Sequence, residues 1–401
     1  MGIDGLYKFI NINCSEIYET INIQQLYGNY CIIDGMQHIY SQLIYLRGKN
    51  KEVFTEDGKN ISHLYGLINS LTYYLKHGII PIFIFDGKYP EIKKKKIEER
   101  RFKLRENLNK LNELKQNKNN CNELINSIKL DNTEDDGCVY GTPPSNLLDI
   151  AMLNMTKFDD EYYQIYKKTI ILKNYHIDDW INIINLLGLP VFRAKAEADP
   201  LCSYISKNNN SIYGVISDDS DMLVFGSPLL MKKTINQNFS IIKLDKLLNK
   251  INLIIENNLN DKNVFNLDNL IDFSILLGSD YGTFNINKTF TNSLDLLKFY
   301  ISNDKNINNI LNEEQIIEFL TIKTYYQNKT IDEDCEKLLS TPFWKKPKLT
   351  ELKQLLLDLN VNKFYINKNL KLLNSYYYKF KNFKSSSCNF KQNNEITIFD
   401  S

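Results

Sequence analysis

A chain of 401 residues, 43% hydrophobic and 24% charged, has the composition of a folded globular protein, which excludes wholesale disorder, collagen-like repeats and coiled-coil rods. Forty-nine Lys plus Arg stand against 48 Asp plus Glu, a net charge of +1, so a nucleic-acid partner must be met by local charge and not by the overall field. The seven Cys include no CxxC pair, which fits reduced, buried thiols of an intracellular protein better than a disulfide framework or a zinc site.

The N-terminal MGIDGLYKFI lacks a basic leader followed by an apolar core, and so reads as untargeted. Residues 29–34, 78–86 and 211–216 are short runs rich in Ile, Val, Phe and Tyr bounded by Gly, Asp or Pro, the pattern of buried strands. Helical periodicity occupies 35–47, 61–76 and 178–187 between them, which predicts an α/β fold with a largely parallel sheet flanked by helices. The longest apolar stretch, around GIIPIFIF, falls far short of the roughly 20 residues of a membrane helix, so no membrane partner is expected. Lys93 to about Leu114 is a highly charged helix with a narrow apolar stripe, and the Asn-rich, acidic, then Gly/Pro-rich segment 115–145 reads as a loop or insertion. After about 240 the pattern is helical nearly to the end, with a tail over 385–401.

The acids carry the chemistry. Asp34 and Asp86 each end an apolar strand, a third strand runs into Ser217-Asp218-Asp219-Ser220-Asp221, and Ala196-Glu197-Ala198-Asp199 lies upstream. Taken singly such acids are most often solvated surface. Several carboxylates gathered at one sheet edge without nearby Lys or Arg repel one another unless cations neutralise them. The all-oxygen donor set, with no His or Cys clustered beside it, points to Mg²⁺, with Mn²⁺ as a substitute. His38, His63, His77 and His176 are scattered and receive no catalytic role.

In chain order, MGIDGLYKFI, IIDGMQHIY (32–40), IFIFDGK (82–88), AEADPLC (196–202), ISDDSDMLVFGSP (216–228) and LLGSDYG (276–282) resemble the motifs of the flap endonuclease family. These are structure-specific 5′ nucleases that include the xeroderma pigmentosum group G nuclease. The resemblance implies a divergent cellular or viral member with a PIN-like 5′ nuclease fold, a helical arch and a helical C-terminal region. By position it implies metal ligands at Asp34, Asp86, Glu197, Asp199, Asp219, Asp221 and Asp280, holding two ions, with Asp218 outside the set as a cap. Two ions about 4 Å apart can activate water and stabilise the leaving oxygen of an in-line displacement. The resemblance further implies catalytic roles for Lys93 and Arg100 at the start of the arch, and DNA contacts for Gly2, Tyr40, Arg47, Lys94, Arg101 and Lys288. The segment after Asp86 supports phosphate contact independently, since residues 88–105 hold nine Lys or Arg against three Glu.

The division expected is an N-terminal nuclease region over 1–105, an arch, cap and variable insertion over 106–182, and an internal nuclease region with a degenerate helix-turn-helix over 183–300. A helical region over 301–384 and a tail over 385–401 follow. Three departures from the family pattern stand out. The turn Asn285-Ile286-Asn287-Lys288 has Asn where the family has glycines, which weakens the expected duplex grip. Asp199 replaces the usual Glu and precedes Pro200, and Glu197 lies 111 residues beyond Asp86, an enlarged spacing. The aromatic, Lys-rich segment 359–394 reads either as a nucleic-acid-binding tail or, preferably, as a last core helix over 365–380. Gln392, Glu395, Ile398 and Phe399 match a sliding-clamp motif poorly. The implied function is metal-dependent cleavage of DNA at 5′ flaps or single/double-strand junctions in replication, repair or recombination, beside replication or recombination proteins in the nucleus or at a site of viral DNA replication. A Holliday-junction resolvase, a 5′ exonuclease and a non-catalytic DNA-binding protein on the same fold are the alternatives.

Overall fold

The computed structural model describes residues 3, 5–130, 160–234, 238–259, 264–283, 286–327 and 344–394, with the side chains of 118–130, 258–259, 287–288 and 384–394 left aside. The chain divides into two compact units, one of residues 1–42, 53–94 and 173–401, the other of 43–52 and 95–172.

The first unit is built on a seven-stranded sheet in the order β1-β7-β6-β5-β2-β3-β4. These strands are β1 (Glu19–Asn22), β2 (Tyr30–Asp34), β3 (Ile80–Phe85), β4 (Val191–Arg193), β5 (Ile212–Ile216), β6 (Leu229–Lys233) and β7 (Asn238–Lys243). Neighbours from β4 through β3, β2 and β5 to β6 are parallel, while β7 pairs antiparallel with both β6 and β1. Every residue of β2 and β3 is buried, as expected of central strands covered on both faces, and this is why YCIID and IPIFIF read as continuous apolar runs. The four strands without a sequence reading are short, at an edge, or part-exposed: β1 is ETIN with one buried residue and β4 is VFR with none.

Helices α1 (Leu6–Asn13), α2 (Gly35–Gly48) and α3 (Ser62–Lys76) precede β3, and α4 (Lys94–Leu130) follows it. Helix α5 (Asn174–Leu186) leads into β4, α6 (Ala198–Asn208) into β5, and α7 (Asp221–Val224) opens just past β5. After β7 come α8 (Leu244–Leu259), α9 (Leu267–Gly278), α10 (Ser293–Ser302), α11 (Glu313–Gln327), α12 (Leu349–Asp358) and α13 (Lys363–Asn394). Part of the aromatic set of helix α13 packs on the rest of the unit: Tyr365 lies 4.4 Å from Tyr65, Phe380 lies 6.1 Å from Tyr30, and Trp344 touches both Tyr377 and Phe380, while Phe364 and Tyr378 are exposed. The segment read as a tail or a core helix is a core helix, and it continues over 385–394, where a tail was expected. The last seven residues lie outside the described ones.

In the second unit, Leu111 and Leu114 of α4 pack with Ile165, against the partly buried Tyr162 and Tyr166. Helix α4 runs on to Leu130, so residues 115–130 are helical and not the loop their composition suggested. A helix already formed and anchored at 111–114 extends at one hydrogen bond per added residue, which tolerates poor Asn-rich helix formers. The rest of that expected loop, residues 131–145, lies outside the described residues.

Candidate active site

The parallel strands deliver the acids to one edge. Asp34 is the last residue of β2 and 7% exposed; its Oδ1 accepts the backbone N–H of Gln37 at 3.1 Å, in the first turn of α2. Asp86 follows β3, and its Oδ1 accepts the N–H of Ala198 at 2.7 Å, the first residue of α6. Glu197 is the residue before α6, and Asp199 and Pro200 sit in that helix's first turn, where a proline costs no hydrogen bond. Glycine follows both strand-end acids for steric reasons. A Cβ on Gly35 would lie 2.4 Å from the Phe85 ring, and one on Gly87 would lie 2.0 Å from the carbonyl oxygen of Ala194. The close approach at Gly87, whose N–H donates to Ala196 O, brings the Asp86 loop against the loop bearing Glu197.

Beyond β5, Ser217 Oγ accepts the N–H of Asp219 at 3.0 Å and Asp219 Oδ1 accepts that of Asp221 at 3.0 Å. Asp221, 1% exposed, opens α7 with its Oδ1 buried and unpartnered. Asp218 instead points out and pairs with Lys232 at 3.4 Å. The capping role expected of Asp218 therefore belongs to Asp219, whose carboxylate turns inward. Asp280, 8% exposed, follows the end of α9.

Burial, then the charge of Asp86, pushes the Asp34 carboxyl up to about 7. Burial likewise raises Asp86, Asp199, Asp219 and Asp221, and Asp219 is the largest charge acting on both Asp199 and Asp221. These mutual effects place the five acids within electrostatic reach of one another. Lys93, in the one-turn helix Glu91–Lys93, sends its ammonium among them and pairs with Glu197 Oε1. Burial works against that ammonium, but Glu197 and then Asp199 outweigh it and hold Lys93 above its ordinary value.

The donor set fits a hard divalent cation: all oxygen, desolvated, mutually repelling, with the Asp221 Oδ1 orphan inside it. Among the described residues no three acidic, imidazole or thiol groups already stand in ligand geometry.

The remaining expected residues are described by themselves or lie outside the description. Arg100 and Arg101 are exposed on α4 in the second unit, Lys94 is exposed at its start, and Tyr40 is half-buried on α2. Arg47 is engaged within the second unit: Nε meets Glu52 at 3.1 Å, NH1 donates to Tyr166 O at 2.8 Å, and the guanidinium lies 4.0 Å over the Tyr166 ring. Gly2, Asn285 and the side chains of Asn287 and Lys288 lie outside the described residues.

Three groups escaped the sequence reading. Gln37 Oε1 accepts from Ser217 Oγ at 2.9 Å and from Asp218 N at 2.8 Å, tying α2 to the loop after β5. Tyr281 donates to Glu197 Oε2 at 2.8 Å, and Tyr325 donates to the same oxygen at 2.6 Å. Tyr281 lies inside LLGSDYG and was open to detection, whereas Tyr325, on a helix whose residues show no motif, was not.

Acids at strand ends and helix starts thus surround the half-buried Lys93, and the comparisons with known proteins concern the segments that carry them. The XPG N-terminal domain matches residues 1–107 and the XPG I-region residues 188–280, so all seven acids fall inside matched segments. The chain belongs to the family of flap endonucleases and XPG nucleases. Flap endonuclease 1 of Glycine max is 28% identical over 287 residues, 70% of this chain and 62% of that protein. Flap endonuclease 1 of Cryptosporidium parvum is 26% identical over 397 residues, 92% of this chain and 69% of that protein. The chain thus spans about three fifths to two thirds of these relatives' lengths. Among solved structures, the flap endonuclease-1 from Methanococcus jannaschii superposes with a TM-score of 0.57 at 17% identity, covering 90% of this chain and 96% of that one. Human GEN1 in complex with Holliday junction DNA gives 0.53 at 15%, covering 94% and 78%. At such identities the likeness is one of fold. No helix among the described residues is long and apolar enough to cross a membrane.

Proposed function

We propose that this protein is a metal-dependent, structure-specific DNA endonuclease that cleaves phosphodiesters at 5′ flaps or other single/double-strand junctions. The observation that carries the reading is the desolvated set of carboxylates at the parallel-strand edge, with the Lys93 ammonium among them. Asp34, Asp86, Glu197 and Asp199 would hold one divalent ion, Mg²⁺ in the first place, and Asp219, Asp221 and Asp280 the other. Bound there, such ions supply an activated water and neutralise the leaving oxygen. The chain's own part is to fix the acids through the N–H groups of Gln37, Ala198 and Asp221, and to hold one ammonium ready for a phosphate. Lys93 is suited to charge that develops on the scissile phosphate, and the basic start of α4 to the backbone of an incoming strand. DNA as partner accords with the family, whose relatives are named flap endonucleases.

The test is cleavage mapping on matched flap, nicked, gapped, bubble and four-way DNAs with Mg²⁺ or with excess EDTA. Incision confined to the flap base and abolished by EDTA is expected. Preference for the four-way substrate would replace the flap reading by that of a junction resolvase, and cleavage in EDTA would remove the metals from it.

A further inference from the structure

Glu197 is unusually crowded for a metal ligand. A carboxylate offers about four lone-pair sites on two oxygens. Its Oε2 accepts from two phenols, Tyr281 at 2.8 Å and Tyr325 at 2.6 Å, while Oε1 faces Lys93. Next to Tyr325, the buried Tyr326 hydroxyl lies 3.5 Å from Asp221 Oδ2 and 3.4 Å from Ser279 Oγ. Two consecutive residues of α11 thus reach two acids that the sequence separates by 24 positions. Helix α11 lies outside both matched family segments.

The helix is itself held in register. Lys323 bridges to Asp272 at 2.7 Å and Asp268 at 3.1 Å, both on α9, the helix that leads into Asp280. Glu318 accepts the N–H and hydroxyl of Thr283 at 2.6 and 2.9 Å, fixing the chain just after Asp280. The Tyr325 ring packs 4.8 Å from Tyr281, and Tyr326 packs 4.8 Å from Phe225.

We propose that Tyr325 is a positioning residue for the metal centre: with Tyr281 it occupies Glu197 Oε2, locks the carboxylate's rotation and leaves Oε1, which faces Lys93 in this structure, as the oxygen for a divalent ion once that ammonium turns to a phosphate. Tyr326 does the same more weakly for Asp221. The proposal rests on the metal reading of Glu197 given above. Hydrogen bonds to a ligating carboxylate orient it and set its basicity, and their loss typically costs about 10- to 100-fold in metal affinity or activity.

The discriminating variant is Tyr325→Phe, which removes one hydroxyl and keeps the ring contacts. Mn²⁺ binding to the full chain without DNA is followed by calorimetry, and single-turnover flap cleavage is measured against Mg²⁺ concentration. The variant should bind Mn²⁺ about 10-fold more weakly and need about 10-fold more Mg²⁺ for half-maximal rate. DNA affinity measured with Ca²⁺ and the thermal midpoint of the metal-free chain should stay close to the parent's. In a cycle with Glu197→Gln the two losses should be non-additive, because Tyr325 acts through that carboxylate. A variant with the parent's Mn²⁺ affinity and Mg²⁺ requirement, or full additivity with Glu197→Gln, overturns the assignment of Tyr325. A parent chain that takes up no Mn²⁺ overturns the metal reading itself.

Discussion

The carboxylate edge and the basic start of α4 carry opposite charge and are held in opposite ways. The acids sit at strand ends or helix starts and are largely buried, and three of them, Asp34, Asp86 and Asp219, are fixed by backbone N–H groups. Lys94, Arg100 and Arg101 are exposed on a helix whose described apolar anchor lies ten or more residues further on, at Leu111 and Leu114. Buried charge is placed before any substrate arrives, and its repulsion is stored in the fold; exposed charge keeps more side-chain freedom, part of which is lost on binding. Lys93 belongs with the acids although its sequence neighbours belong to the basic helix.

The largest expected effect breaks the buried side of that contrast. Asp221→Ala should lower cleavage by about 10³-fold or more, the range associated with losing a metal-held reaction centre, while DNA binding survives. Because Asp221 is buried, repelled by Asp219 and carries an unpartnered Oδ1, the same change should raise the thermal midpoint of the metal-free protein. Full activity in the variant would remove Asp221 from the centre, and a lower midpoint would show that the cluster is not strained.

A smaller effect separates Lys93 from its neighbour. Lys93→Ala should slow the single-turnover rate by about 10²-fold with little change in DNA dissociation constant, as for a group that acts on transition-state charge. Lys94→Ala should leave the chemical step alone and reduce the salt dependence of binding by about one phosphate contact. If both variants lose only binding, Lys93 is part of a phosphate-attracting surface.

A third effect concerns the core beneath the acids. His38 is packed among Tyr74, Phe83 and Trp180, and burial, then Lys233, pushes its pKa down to about 3. Burial, then His63, takes His176 down to about 4. A depressed imidazole means that the unfolded chain takes up the proton first, near 6.5. Stability is therefore complete above about pH 6.5 and falls as the pH drops towards 4 for His176 and 3 for His38. Denaturant titration of the parent and of His38→Phe should show the parent losing roughly 2 kcal/mol more between about pH 7 and pH 5. Parallel pH profiles would mean that His38 protonates freely in the folded state.

What was legible followed from local pattern. Asp34 and Asp86 were visible because each terminates a fully apolar strand, and α2, α3, α5, β2, β3 and β5 because burial on a face or on both faces imposes a period. Edge strands such as Glu19–Asn22, with one buried residue, carry no such period. The anchor of α4 at Leu111 and Leu114 packs with Ile165, more than fifty residues along the chain, and past residue 114 composition alone argued for a loop. The Tyr325 contact with Glu197 spans 128 positions, and nothing near Tyr325 in sequence marks it.

The smallest effect tests a residue whose expected role and observed contacts differ. Arg47 matches a DNA-contacting position by resemblance, yet its side chain is 13% exposed and engaged by Glu52, Tyr166 O and the Tyr166 ring. Tyr166 also donates to Glu52 Oε2 at 2.8 Å, so the three residues close a ring of contacts inside the second unit. Removing the guanidinium would take its contact from Glu52 and strip the cation from the aromatic face, a loss of about 1–2 kcal/mol for partly buried contacts of this kind. Arg47→Ala should therefore lower the stability of the second unit, read as faster amide exchange along 107–114 and 162–166, with DNA affinity reduced less than about 3-fold. Arg47→Lys should restore little, because an ammonium cannot make the forked contact to Glu52 and Tyr166 O while stacking on the ring. A steep loss of DNA binding with unchanged exchange would put Arg47 on the DNA instead, and would mean that the Glu52 and Tyr166 contacts open when substrate binds.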